Sequence, residues 1–219
     1  MNNIKLSAVL AKPGYIFDLD GVLVDTAVFH FKAWKRLANG LGFDFTENQN
    51  EQLKGVSRVE SLNKILAWGG IVKTEEEKRY LAEKKNAWYL EMVHQMTDED
   101  VLTGVLAFLT KAKDQGKKIA LGSASKNAPL ILDKTGIGDF FDAVIDGNKV
   151  SASKPDPEVF LLAAQELGLA VRDCLVFEDA QAGIDAALAG DMQAIGIGSA
   201  DDLKGAVTVV AGLHELSLD

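Results

Sequence analysis

Two patterns of apolar and polar positions divide the chain. From residue 27 to about 100 the apolar residues recur at helical spacing. "VFHFKAWKRLANGLG" puts Phe31, Trp34, Leu37 and Leu41 three or four residues apart, on one helix face, and Gly40 and Gly42 act as stop signals. "TENQ" at 46–49, "SRVE" at 57–60 and "TEEE" at 74–77 each have the Ser/Thr-x-x-Glu/Gln form of a capping box, so three further helices are predicted to start there. From residue 103 onward the pattern alternates. Short apolar runs, "KIALG", "DAVID", "CLVFED", "QAIGIG" and "VTVVAG", are separated by helical stretches. Asp156 followed by Pro157 marks one helix start, and Gly136, Gly168 and Gly190 mark helix ends. Alternating strand and helix predicts an α/β fold with a parallel sheet covered on both faces. The run "YIFDLD" at 15–20 reads as a strand of that same sheet. The helical block is thus an insertion after the first strand, with 1–26 and 102–219 forming the α/β part and 27–101 the inserted part. A block joined by two linkers can hinge.

Bulk composition narrows the partners. The 219 residues carry a net charge of −9, with 47% hydrophobic and 25% charged, which is ordinary globular composition. An acidic chain lacks the basic footprint that nucleic acid or an anionic membrane requires, so neither is expected as a partner. No apolar run approaches the length of a membrane span, and "LSAVLA" is too short for a signal-peptide core, so a cytoplasmic protein is expected; a monomer is the default expectation. The single cysteine, Cys174, sits inside "CLVF" and reads as a buried structural residue.

The chemistry gathers where strands end. In open parallel sheets ligands bind beyond the carboxyl ends of the strands. "YIF" is followed by Asp18 and Asp20, with Gly21 allowing a sharp turn. "KIALG" is followed by Ser123, Ser125, Lys126 and Asn127, "DAVID" by a loop leading to Lys154, and "CLVF" by Glu178 and Asp179. Taken singly, each is as well explained as a turn, a helix cap or a surface charge. Four strand ends that deliver carboxylates, hydroxyls and one lysine to a single edge form a more specific constellation. Asp18, Glu178 and Asp179 are hard oxygen ligands suited to Mg²⁺. A hydroxyl, backbone N–H groups at a helix start and a lysine suit a phosphate. An aspartate can attack such a phosphate and become an aspartyl phosphate, while a second carboxyl moves the proton. Asp18 is therefore expected as nucleophile and metal ligand and Asp20 as acid–base, with Asp25 holding the hinge by local hydrogen bonds.

"DLDGVLVDT", "SASKN", "SKPDP" and "FEDAQAGI" resemble, in order and spacing, the four motifs of the haloacid dehalogenase superfamily of phosphotransferases. Within it, "HFKAW" at 30–34, "QLKGVSR" at 52–58 and "KKN" at 84–86 resemble the cap loops of the β-phosphoglucomutase family. The resemblance implies a Rossmann-like core with a four-helix cap. It also implies interconversion of β-glucose 1-phosphate and glucose 6-phosphate through β-glucose 1,6-bisphosphate and a phosphoaspartyl enzyme. Under it Asp18 is nucleophile, Asp20 acid–base, and Glu178 and Asp179 magnesium ligands alongside Asp18 and the Asp20 backbone carbonyl. Ser123, Ala124 and Lys154 hold the transferring phosphate. Arg58, Ser125, Lys126 and Asn127 hold the other. Leu53, Lys54, Gly55, Val56 and Ser57, with Trp34, line the substrate, and His30 paired with Lys84 couples its arrival to cap closure.

A sugar-phosphate phosphatase of the same superfamily is the main rival, because both form the aspartyl phosphate and differ in whether water or a sugar hydroxyl accepts it. A signalling receiver also phosphorylates an aspartate. Asp20 and the helical insertion argue against that reading, since a proton-transfer group beside the phosphate promotes turnover.

Overall fold

The computed structural model describes residues 3–218. Six strands form one parallel sheet: β1 (Gly14–Phe17), β2 (Lys118–Gly122), β3 (Ala143–Ile145), β4 (Cys174–Glu178), β5 (Gln193–Ile197) and β6 (Thr208–Val210). Their order is β3-β2-β1-β4-β5-β6, so the sheet starts at its centre and winds outward in both directions. The crevice at the carboxyl ends of β1 and β4 is the topological switch point. Alternate strand residues face opposite layers. Tyr15, Phe17, Leu121 and Phe177 enter one core, and Ile16, Ala120 and Val176 the other. Phe17 and Phe177 stack at 4.5 Å between ring centroids. Burying one such ring contributes about 1.5–3 kcal/mol, which holds β1 and β4 in register.

After β1 the chain forms four helices before it returns to the sheet layer: α2 (Ala27–Gly40), α3 (Glu47–Glu51), α4 (Arg58–Trp68) and α5 (Glu75–Val93). They share an apolar cluster that includes Trp34, Leu37, Phe45, Leu62 and Ile65. The capping signals act as expected at Thr46 and Thr74, where both halves of the box form, while at Ser57 only the forward half does. The cap lies down on the sheet domain, since Ala33, Tyr89, Val93 and Met96 pack into the same cluster as Phe17 and Leu121. Helices α6 (Val105–Asp114), α7 (Ala128–Thr135), α8 (Glu158–Leu167) and α9 (Gln181–Ala189) flank the strands.

Ahead of β1, α1 (Asn3–Leu10) leads into "AKP", a stretch that suggests no role as sequence. Lys12 Nζ donates to the carbonyls of Arg172 (2.5 Å) and Cys174 (3.1 Å). The Pro13 carbonyl accepts from Lys118 N at 2.9 Å. The segment ties the entrance of β1 to its two neighbours. Cys174 is fully buried, and burial pushes its thiol up to about 11.

Candidate active site

Register decides which residues meet. Phe17 pairs with Phe177, and Asp18 N donates to the Phe177 carbonyl at 2.9 Å. Asp18 and Glu178 therefore leave the sheet side by side. On the other flank Ser123 N donates to the Ile145 carbonyl at 2.9 Å, so the loop after β2 stands level with Asp18. Lys154 reaches in from the loop after β3. Its Nζ donates to Asp18 Oδ1 at 2.5 Å and also to Glu178 Oε1. Burial disfavours a charge on Lys154, but Asp18 and Glu178 more than offset it, and the pKa of the ammonium is raised.

The acids outnumber that one cation. Glu178 is fully buried and its pKa is raised, first by burial and then by Asp18, with Lys154 opposing. Asp179 is pushed well up by burial and by Glu178 and Asp18, with Lys54 opposing from 3.6 Å. Asp20 is pushed up to about 7, chiefly by burial and then by the Asp18 charge. Its Oδ1 accepts from Thr26 Oγ1, which in turn accepts from Tyr89 OH at 3.0 Å. Gly21 has φ +75°, and a Cβ there would stand 2.2 Å from Asp179 Oδ2, so the turn after β1 closes directly over that carboxylate.

Such a surplus of oxygen donors fits Mg²⁺, a hard cation that takes one or two carboxylates and fills its remaining positions with waters and phosphate oxygens. Among the described residues no three acidic, histidine or cysteine side chains converge as a ready cage, and Asp18 and Glu178 both bond Lys154.

The loop after β2 leads into α7. Its N-cap residue Asn127 makes no capping hydrogen bond and instead donates from Nδ2 to Asn86 Oδ1 on the cap, at 2.9 Å. Ser125 N donates to Ser123 Oγ (3.1 Å) and Asn127 N to Ser125 Oγ (3.2 Å), which curls the 123–127 backbone in front of the helix N-terminus. A helix start of this kind suits an anion. Asp25 Oδ1 accepts from Ala27 N at 3.1 Å, a local hinge contact.

On the cap, Arg58 is the first residue of α4, behind its N-cap Ser57. The 53–57 segment drops onto the core, and a Cβ on Gly55 would lie 3.6 Å from that of Ala180. The expected His30–Lys84 pair is not formed. Lys84 is exposed over the rings of Tyr80 and Trp88, and the residue at His30 is Lys85, with Nζ 2.8 Å from Nδ1. The buried stripe of α5 is Ala82, Lys85, Tyr89 and Val93, one position on from the face that Leu81 and Trp88 suggest. Lys85 sits over Trp34 (4.4 Å) and Tyr89 (4.8 Å). Burial first, then the Arg58 charge, lowers its pKa well below the usual lysine range, and burial with Lys85 and Arg58 does the same to His30. Sequence reasoning also gave no role to Thr26, Tyr89 or Asn86. The spacing of Ala82, Lys85 and Tyr89 was the available signal for two of the residues it missed.

An aspartate at the central strand end, a lysine bridging it to a second carboxylate and a helical cap over the switch point define a phosphoryl-transfer enzyme of the haloacid dehalogenase type. The haloacid dehalogenase-like hydrolase family matches residues 13–191, and the chain belongs to it. It is 43% identical over 206 residues to a β-phosphoglucomutase of Bacillus subtilis, covering 93% of this chain and 91% of that protein. A crystal structure of β-phosphoglucomutase from Clostridium difficile superposes with a TM-score of 0.91 at 42% identity, covering 94% of each chain. A fructose-1-phosphate phosphatase of Escherichia coli is 31% identical over 186 residues, which is 84% of this chain and 95% of that one.

Proposed function

We propose that the chain is a β-phosphoglucomutase that interconverts β-glucose 1-phosphate and glucose 6-phosphate through enzyme-bound β-glucose 1,6-bisphosphate. The observation that carries this reading is a group of nitrogen donors on each side of Asp18 and Asp20, one from the core and one from the cap. Lys154 stands on the floor at Asp18, and Arg58 with Lys85 and His30 stands on the cap, close enough that the cap groups shift one another and Lys85 acts on Asp20. A sugar with a phosphate at each end would engage both groups, whereas a monophosphate would engage one.

In the proposed reaction Asp18 attacks the phosphorus of the near phosphate. The bond from phosphorus to the sugar oxygen breaks, its electron pair stays on that oxygen, and Asp20 supplies the proton. In the return step the other sugar hydroxyl gives its proton to Asp20 and attacks the aspartyl phosphate. A carboxyl pushed up to about 7 is suited to both directions near neutral pH. Ser123, Ala124 and Lys154 would hold the transferring phosphate. Arg58, Ser125, Lys126 and Asn127 would hold the far one, with Trp34 and residues 53–57 enclosing the sugar. Mg²⁺, held by Asp18, Glu178, Asp179 and the Asp20 carbonyl, would neutralise the repulsion between carboxylate and phosphate. Residues 1–26 and 102–219 would act as the catalytic core and 27–101 as a cap that excludes water.

Among the described residues no helix is long and apolar enough to cross a membrane; the enzyme is proposed to be cytoplasmic and monomeric. Incubation with β-glucose 1-phosphate, Mg²⁺ and a trace of bisphosphate tests the reading. Glucose 6-phosphate should accumulate, and release of free phosphate instead would favour the phosphatase. Asp18→Asn should abolish the phosphoenzyme that mass spectrometry detects in the native chain after exposure to acetyl phosphate.

A further inference from the structure

The loop after β3 touches the phosphate loop from behind. Asp146, the residue just after β3, is only 5% exposed. Its carboxylate accepts from Asn148 N (2.9 Å) and Asn148 Nδ2 (3.1 Å). The same Asn148 amide donates to the Lys126 carbonyl at 3.2 Å, and Gly147 N donates to the Ser125 carbonyl at 3.2 Å. Between these two bonds the backbones meet. A Cβ on Gly147 would stand 2.3 Å from the Ala124 carbonyl oxygen and 3.0 Å from Lys126 Cγ, with backbone as the nearer obstacle.

We infer that the 146–148 turn is a positioning clamp for the phosphate loop, with Gly147 setting the Ala124 peptide and Asn148 setting the Lys126 end; this rests on the phosphomutase reading above. In a planar trans peptide the carbonyl and the next N–H point in opposite directions. Holding the Ser125 carbonyl toward β3 therefore aims Lys126 N–H the other way. Holding the Lys126 carbonyl aims Asn127 N–H back at Ser125 Oγ, its observed acceptor. Buried Asp146 fixes the amide that does the holding. The near-phosphate residue Ser123 is held independently by the sheet, through Ile145, so the two ends of the loop have separate supports.

Two variants separate these roles. Asn148→Asp keeps the size, removes the side-chain donor and sets a second carboxylate beside Asp146. It should raise KM for β-glucose 1-phosphate about fivefold, the equivalent of ~1 kcal/mol for one hydrogen bond. The rate of phosphoenzyme formation from acetyl phosphate should stay within about twofold. Gly147→Ala drives a methyl group into the Ala124 peptide and should slow both reactions, by about tenfold or more. A thermal melt of each variant accompanies the kinetics. If both variants lower only the melting temperature, or change nothing, the turn is scaffold and the inference is overturned. Should Gly147→Ala fail to fold, the KM effect of Asn148→Asp decides alone. If the native chain is phosphorylated by acetyl phosphate but does not convert β-glucose 1-phosphate, the phosphomutase reading fails. The clamp is then still tested, by the effect of Gly147→Ala on phosphoenzyme formation.

Discussion

Floor and cap each bury a lysine to about the same depth, Lys154 at 4% exposure and Lys85 at 1%. The two are driven in opposite directions. Lys154 lies between Asp18 and Glu178 and its proton is held more tightly; Lys85 lies between two aromatic rings, His30 and Arg58, and its proton is held less tightly. Burial is the same unfavourable influence for both, so the neighbours decide the charge. The floor is an acidic surplus around one cation, whereas on the inner side of the cap three basic side chains, Lys85, His30 and Arg58, crowd one another.

Removing the floor lysine should have the largest effect on the fold. Lys154→Met would leave Asp18 and Glu178 buried without their partner, and such losses run to about 3–5 kcal/mol. Chemical denaturation at neutral pH would read it; a loss under ~1 kcal/mol would show that the two carboxylates take up protons at little cost. Arg58→Ala should lower sugar-phosphate turnover about 30-fold, from a loss of at least 2 kcal/mol for an unpaired phosphate charge. Phosphorylation by acetyl phosphate, which has no second phosphate, should change little. Equal falls in the two rates would move Arg58 from the far phosphate to the chemistry.

Lys85→Met is the counterpart of the floor variant and should behave oppositely. With no acid bonded to Lys85, replacing it by an apolar chain should leave stability unchanged or raise it by about 1 kcal/mol at pH 7. The pKa of folded Lys85 lies below the unfolded value of 10.5, so the unfolded chain binds the extra proton and native stability rises with pH up to that value. The advantage of the variant should therefore shrink as pH approaches 10.5. A growing advantage would mean that Lys85 is charged and paired. The smallest effect belongs to the outer surface of the cap. Glu77 accepts from Thr74 N and Lys73, which lower its carboxyl to about 2. A depressed carboxyl stabilises the fold above its unfolded value of 4.5 and loses that contribution as pH falls toward 2. Glu77→Gln should thus lower the melting temperature slightly at pH 6 and not at all near pH 2.

The floor was legible in the sequence because its chemistry is contiguous with strands. An apolar run followed by acids puts those acids at the strand end, and parallel topology brings the strand ends together. Helix starts were legible for the same local reason, down to the paired bonds at Thr46 and Thr74. The cap interior was not. On a helix the inward face is set by what packs against it, and a shift of one residue rotates a side chain by about 100°. Leu81 and Trp88 pointed to Lys84, but α2 and the core take Ala82, Lys85 and Tyr89.

The sequence by itself determined the sheet, the insertion after its first strand, and which acids, hydroxyls and lysine reach the carboxyl edge, because those follow from periodicity and adjacency along the chain. Tertiary structure alone decided how these groups are shared. Lys154 bridges Asp18 and Glu178, Thr26 and Tyr89 tie Asp20 to the cap, Asn127 reaches across to Asn86, and the turn at Gly147 backs the loop at Ala124–Lys126. Each of these joins residues from different elements. Their distances and proton affinities depend on burial and on neighbours brought from far along the chain, which no local pattern encodes.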